Sequence, residues 1–237
     1  MRMAPTVVIA ASHEFVGVAV GTIADGIEAS IVARGTCALA LCGGTTPIPV
    51  YEALARRQLA WPDISVYFGD ERAVPPDNPD SNFAMARRSL LDHVRIPPEQ
   101  IHRMAAERPD LDRAASEYDQ LLPPRFDLLL LGMGPDGHTA SLFPYAPAVT
   151  EPSRRVVAAE APPAPIVPPV ARMTITPLVI AAARHIVVMV RGTDKSAILQ
   201  HILEGPEQPA RLPAQYARGG TWIIDQAAAA QLQSRDI

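Results

Sequence analysis

Short, unbroken apolar runs recur along this chain with helix-patterned stretches between them, and this alternation restricts the possible folds more than any other feature. The runs are Thr6 to Ala10, Ala38 to Cys42, Ser65 to Phe68, Asp127 to Leu131, Val156 to Ala159, Met173 to Ile175, Ile186 to Val190 and Thr221 to Ile224. Strands take on this near-continuous apolar character when both faces of their sheet are covered. The segments available to cover them are Glu14 to Ala33 behind Ser12, Val50 to Arg57, Asn82 to Val94 behind Ser81, Leu111 to Leu121 behind Asp110, Leu178 to Ala183 and Lys195 to Leu203. Strand and helix in turn predict an α/β fold, a doubly wound, mostly parallel, Rossmann-like sheet with helices on both faces. A length of 237 residues fits a single domain, 1–237, because α/β folds run to about 250 residues as one unit. The proline-dense stretches Pro144 to Pro152 and Pro162 to Pro169 read as surface loops within it, since strands continue beyond each.

Composition narrows the function classes. Hydrophobic residues make up 48% and charged residues 19%, which supports a buried core and excludes a disordered chain. The net charge is −4, with no basic run and few aromatics, so the footprint of a nucleic-acid binder is missing. No run approaches the roughly 18 apolar residues of a membrane span. Val7 to Ala11 after Arg2 imitates a short secretory signal, but Ser12, His13 and Glu14 follow at once, and a first strand is the reading. The only two cysteines, Cys37 and Cys42, fall on opposite faces of one strand, which suits neither a disulfide nor a zinc site and implies a reducing cytoplasm. The expected partner is a small molecule, and the default assembly is a monomer or a weak homo-oligomer.

Ligands of doubly wound sheets bind beyond the carboxyl ends of the strands, so chemistry is expected in the loops that leave them. The first such loop, Gly43, Gly44, Thr45, Thr46 and Pro47, lets backbone approach a ligand at its glycines, offers Thr46 as a helix cap and presents free N–H groups suited to phosphate. The second, Gly69 to Arg72, sets Asp70, Glu71 and Arg72 directly after an apolar strand, where Arg72 is placed to clamp an anionic oxygen. The fourth, Arg191 to Lys195, carries the only lysine among 21 basic residues, at the start of a helix.

The third loop, GMGPDGHTASLFP from Gly132 to Pro144, contains the G-x-G-x-x-G pattern of dinucleotide sites, with Glu160 about where a ribose-binding acid would sit. A dinucleotide site needs a full helix after the third glycine. Pro144, Pro147 and Pro152 leave only a short turn from His138 to Phe143, which argues against that reading. What remains is an imidazole in a flexible, amide-rich loop, able to take a proton from water while nearby N–H groups hold an oxyanion. His13, His93, His102, His185 and His201 lack such surroundings and form no metal-ligand spacing. No G-x-S-x-G elbow is present, and Ser141 shows no evident partner, so water is the expected nucleophile.

These four loops, in this order, resemble the 6-phosphogluconolactonase family within the wider group that includes glucosamine-6-phosphate deaminases. The resemblance is carried by LALCGGTTPIPVYEAL, VYFGDERAVPPDNPDSNFAMARRSLL, FDLLLLGMGPDGHTASLFP and RMTITPLVIAAARHIVVMVRGTDKSAIL, and it spans nearly the whole chain. Cys42 stands where the family usually has serine, a departure that removes a hydroxyl but leaves the backbone of Gly43 and Gly44 intact. The resemblance implies hydrolysis of 6-phospho-D-glucono-1,5-lactone in the oxidative pentose phosphate pathway, with no metal or organic cofactor. It implies His138 as general base, oriented by Asp136 or Asp70. It further implies that Gly43, Gly44, Thr45, Thr46, Arg72 and Lys195 gather the substrate's phosphate and hydroxyls, with Arg172 a weaker candidate. Alternatives are an amino-sugar-phosphate deaminase or isomerase, from which the run SLFP after His138 points away, and a non-catalytic sugar-phosphate sensor, in which His138 would have no task.

Overall fold

The structure, a computed structural model, describes residues 4–233; Arg2, noted above as the flank of the first apolar run, lies outside them. Among the described residues nine strands form two sheets. Six of them, β1 (Thr6–Ala10), β2 (Cys37–Leu41), β3 (Ile64–Phe68), β5 (Leu128–Gly132), β8 (His185–Val190) and β9 (Thr221–Asp225), build a wholly parallel sheet in the order β1-β9-β8-β5-β2-β3. The side chains of Leu128 to Leu131 and Val187 to Val190 are buried, which accounts for runs that are apolar throughout instead of alternating. Helices α1 (Phe15–Arg34), α2 (Ile48–Leu54), α3 (Asn82–Ser89), α4 (Leu111–Leu121), α5 (Pro177–Ala182) and α6 (Ser196–Leu203) lie between the strands in sequence and flank the sheets.

The alternation therefore predicts the architecture correctly, but three strands join a different sheet. Val156–Ala159 (β6) and Arg172–Ile175 (β7) pair antiparallel with Asp70–Arg72 (β4), a segment whose three charges read as a loop. Gly69 is the pivot between the two sheets. Its N–H donates to Leu41 O (3.0 Å) in the parallel sheet, and its carbonyl accepts from Ile175 N (2.9 Å) in the antiparallel one. The charged strand is tolerated in the interior because its carboxylates find donors there, as described below.

Helix α1 is apolar and long enough to cross a membrane by length and composition alone. Here it lies against β2, β5, β8 and β9, and it buries Phe15, Ala19, Val20, Ile23, Ala24 and Ile27. It begins behind a turn over residues 12–14 with Glu14 at the cap position and no side-chain cap, so Ser12 does not serve the role expected of it. It ends on Gly35, left-handed at φ 78°, whose N–H closes on Ile31 O at 2.7 Å. Two expected caps form: Ser81 accepts from Ala84 N and Asp110 from Arg113 N. The stretch Asn82 to Val94 divides into α3 and a separate 3-10 turn over Leu91–His93. The 3-10 turn Thr193–Lys195 likewise precedes α6.

Candidate active site

In the parallel sheet β3 lies on one side of β2 and β5 on the other, so the winding direction reverses between β2 and β5. Their pairing stops after Leu39↔Leu128 and Ala40↔Leu129. Beyond that point the loops leaving the two strands diverge, as doubly wound sheets require at such a switch point. A cleft of about 190 Å³ opens there, lined by Cys42 to Pro47, Asp70, Arg72, Gly132 to Gly134, His138, Ala140, Met189 and Lys195.

One wall is the loop after β2. Among the described residues no partner accepts from the backbone N–H groups of Gly43, Gly44, Thr45 or Thr46, so four successive donors border the cleft. Gly44 is held at φ 95°, and a Cβ at Gly43 would come within 1.9 Å of Asn82 Oδ1; neither position accepts a side chain. The capping role expected of Thr46 is not taken up, since Pro47 occupies the cap position of α2 without a side-chain bond. Cys42 is buried beneath the loop, with its backbone N–H and carbonyl both bonded to the Tyr51 hydroxyl at 3.0 Å. Burial pushes its thiol up to about 12, so the sulfur is inert at neutral pH.

The opposite wall is the loop after β5. His138 Nδ1 lies 2.6 Å from Asp136 Oδ1, which also accepts the His138 backbone N–H at 3.1 Å. A carboxylate on Nδ1 requires the proton there and leaves Nε2 as the free basic nitrogen. Burial works against ionisation of Asp136, but the hydrogen bond and charge of His138 outweigh it and hold the carboxyl below its ordinary range. The ring packs against Phe143 with centroids 5.0 Å apart. Gly134 makes room for it, because a Cβ there would fall 2.1 Å from the imidazole. After Gly137 the chain makes a turn and no helix, so the dinucleotide pattern has no helix to open.

Of the two candidate orienting carboxylates, Asp136 sits on the imidazole and Asp70 does not. Asp70 Oδ2 accepts from Ser141 Oγ at 2.6 Å and Oδ1 from Asn82 Nδ2 at 3.0 Å. Ser141 thus has a partner that its sequence neighbourhood does not suggest. Glu71, 3% exposed, accepts from the backbone N–H groups of Arg72, Asn82 and Phe83 and from Ser81 Oγ, all between 2.8 and 3.0 Å. It closes the first turn of α3 from eleven residues upstream. Burial still pushes its carboxyl up against these bonds. Sequence reasoning gave Glu71, Asn82 and Ser141 no role in the site. The only signal for them was the clustering of polar residues after a strand.

Arg72 and Lys195 supply the positive charge. Arg72 Nη1 donates to the Asp80 carbonyl, while its Nε, shielded from solvent, has no partner among the described residues. Lys195 Nζ lies 3.0 Å from Asp194 Oδ2 with its side chain 19% exposed. Arg172 is placed differently from expectation. It is 2% exposed and outside the cleft lining, with Nε donating to Val170 O and Nη2 to Pro168 O. Burial and the neighbouring Arg72 lower its pKa.

Fold and cleft together define a doubly wound α/β enzyme in which a histidine–carboxylate pair shares a switch-point cleft with an amide-rich loop and two cationic side chains. Residues 10–224 match the family described as glucosamine-6-phosphate isomerases/6-phosphogluconolactonase, and the chain belongs to that family. It is 40% identical over 220 residues to the 6-phosphogluconolactonase of Synechocystis sp., covering 87% of this chain and 89% of that one. It is 39% identical over 226 residues to the 6-phosphogluconolactonase of Mycobacterium tuberculosis, with 88% and 90% covered. The solved 6-phosphogluconolactonase of Trypanosoma brucei superposes with a TM-score of 0.86 at 31% identity, over 97% of this chain and 99% of that chain.

Proposed function

We propose that this chain hydrolyses 6-phospho-D-glucono-1,5-lactone to 6-phospho-D-gluconate in the oxidative pentose phosphate pathway. The observation that carries the reading is the His138–Asp136 pair at 2.6 Å, set in one cleft with four free amides and two cations. The phosphate is held by the N–H groups of Gly43, Gly44, Thr45 and Thr46 with Arg72 and Lys195. Asp136 holds the Nδ1–H form of His138, and Nε2 takes a proton from water as the water oxygen bonds to the lactone carbonyl carbon. The tetrahedral intermediate collapses by breaking the bond from that carbon to the ring oxygen. The ring oxygen takes up the proton held on His138 Nε2 and becomes a hydroxyl, and the carboxylic acid left on the carbon releases its own proton to solvent to become a carboxylate. Arg172, with its guanidinium held by loop carbonyls, supports the wall and does not grip the substrate. Buried, unpaired Cys37 and Cys42 fit a reducing compartment, and we place the protein in the cytoplasm.

The test is lactone hydrolysis above its spontaneous background. His138→Ala is expected to lose roughly 10²- to 10⁴-fold in kcat in the folded protein, and full activity in a folded variant would remove the general base from the mechanism. Ammonia release from glucosamine 6-phosphate separates this reading from the deaminase alternative: none is expected, and deamination without lactonase activity would reverse the choice.

A further inference from the structure

Asp70 brings a carboxylate into the cleft with no cation paired to it among the described residues. It is 7% exposed, and each oxygen accepts one neutral hydrogen bond, Oδ1 from Asn82 Nδ2 and Oδ2 from Ser141 Oγ. The Asn82 amide also donates to the Asp70 carbonyl at 2.9 Å, and its side chain abuts Gly43 of the amide loop. Ser141, 1% exposed, belongs to the His138 loop, and its backbone N–H donates to Thr174 Oγ1 at 3.1 Å, in β7 of the antiparallel sheet. Asp70 is therefore the point at which both walls of the cleft and the second sheet are tied together. A carboxylate oxygen has about two lone-pair sites, so each keeps an acceptor site after these bonds. Arg72 and Lys195 suit the anionic end of a substrate, whereas an acceptor-only group suits hydroxyl donors.

The geometry points to Ser141 as the positioning residue that holds the Asp70 carboxylate against the hydroxyl groups of a polyhydroxylated substrate. The inference rests on the reading that the cleft takes a sugar phosphate. Ser141 acts through Asp70: its hydroxyl bonds the carboxylate and makes no bond to His138, Arg72 or Lys195.

A double-mutant cycle tests this, using Ser141→Ala, Asp70→Ala and the double variant. The readouts are calorimetric binding of 6-phosphogluconate, lactone turnover and melting temperature. Ser141→Ala is expected to weaken binding about tenfold, within the range of coupling between contacting residues. It should lose nothing further in the Asp70→Ala background. Ser141→Cys, close in volume and a weaker donor, should fall between wild type and Ser141→Ala, and it carries the cycle if the alanine variant does not fold. Unchanged binding in the Ser141 variants, or losses that add in full to those of Asp70→Ala, would overturn the assignment. A wild type that binds 6-phosphogluconate but does not hydrolyse the lactone would refute the proposed reaction while the binding cycle still decides the role of Ser141. A wild type that binds no 6-phosphogluconate would refute both.

Discussion

His138 and Asp136 are two residues apart, and a bond between such close neighbours was open to sequence reading; which of two nearby carboxylates made it was not. Asp70 is also a carboxylate that closely follows a strand end, but the fold commits it to Ser141, 71 residues along the chain, and to Asn82. The Asp136 pairing has a pH signature. A carboxyl held below its unfolded value of about 3.9 stabilises the fold above that value, and the contribution is lost as pH falls through the lower folded value. Asp136→Asn should therefore melt earlier than wild type at pH 7, and the gap should close in acid. Melting curves across that range check it, and a constant gap would contradict the pairing. The same variant should lose kcat, since the Nδ1–H form of the imidazole is no longer enforced. Arg72→Ala and Lys195→Ala should raise KM more than they lower kcat, because the proposed mechanism sets these groups on the phosphate and not on the reacting carbonyl. A pure loss of turnover in steady-state kinetics would place them at the chemistry instead.

Elements show the same division. Helix α4 was readable end to end, because Asp110 caps it and its apolar residues Ala114, Ala115 and Tyr118 fall on one face. Strand β4 was not readable, because nothing local marks Asp-Glu-Arg as a strand and only pairing with Met173 and its neighbours makes it one. Helix α3 lies between these cases. Ser81 was legible as its cap, yet the Ser81 hydroxyl also donates to Glu71 Oε2 at 3.0 Å, and Glu71 takes the N–H groups of Asn82 and Phe83. Ser81→Ala removes a cap and one of the donors to a buried carboxylate, so it should cost about 2 kcal/mol. At roughly 2–4 °C per kcal/mol for a domain of this size, calorimetry should show a melting temperature lower by several degrees. A change within a degree would mean that the Glu71 network re-forms without it.

At the scale of the molecule, stability and function occupy different ends of the same strands. The parallel sheet is held by fully buried side chains such as Leu130 in β5, while the cleft lies beyond the carboxyl ends. Leu130→Ala should cost roughly 2–5 kcal/mol and leave KM unchanged in the folded fraction. Denaturant unfolding with parallel kinetics checks this, and a changed KM at full folding would show the core and cleft to be coupled. The sequence by itself determined the strand and helix alternation, the parallel sheet and the loops that line the cleft, because hydrophobic periodicity, caps and glycine-rich turns are local properties. It also placed His138, Arg72 and Lys195 beyond the carboxyl ends of the parallel strands, since segments that leave parallel strands emerge on the same side. Only the tertiary structure decided that Asp70 answers to Ser141, that Glu71 caps a helix from eleven residues away, and that Arg172 is spent on loop carbonyls. Those are contacts of buried polar groups, which take whatever donor or acceptor packing brings within about 3 Å, and packing joins residues that the chain keeps far apart.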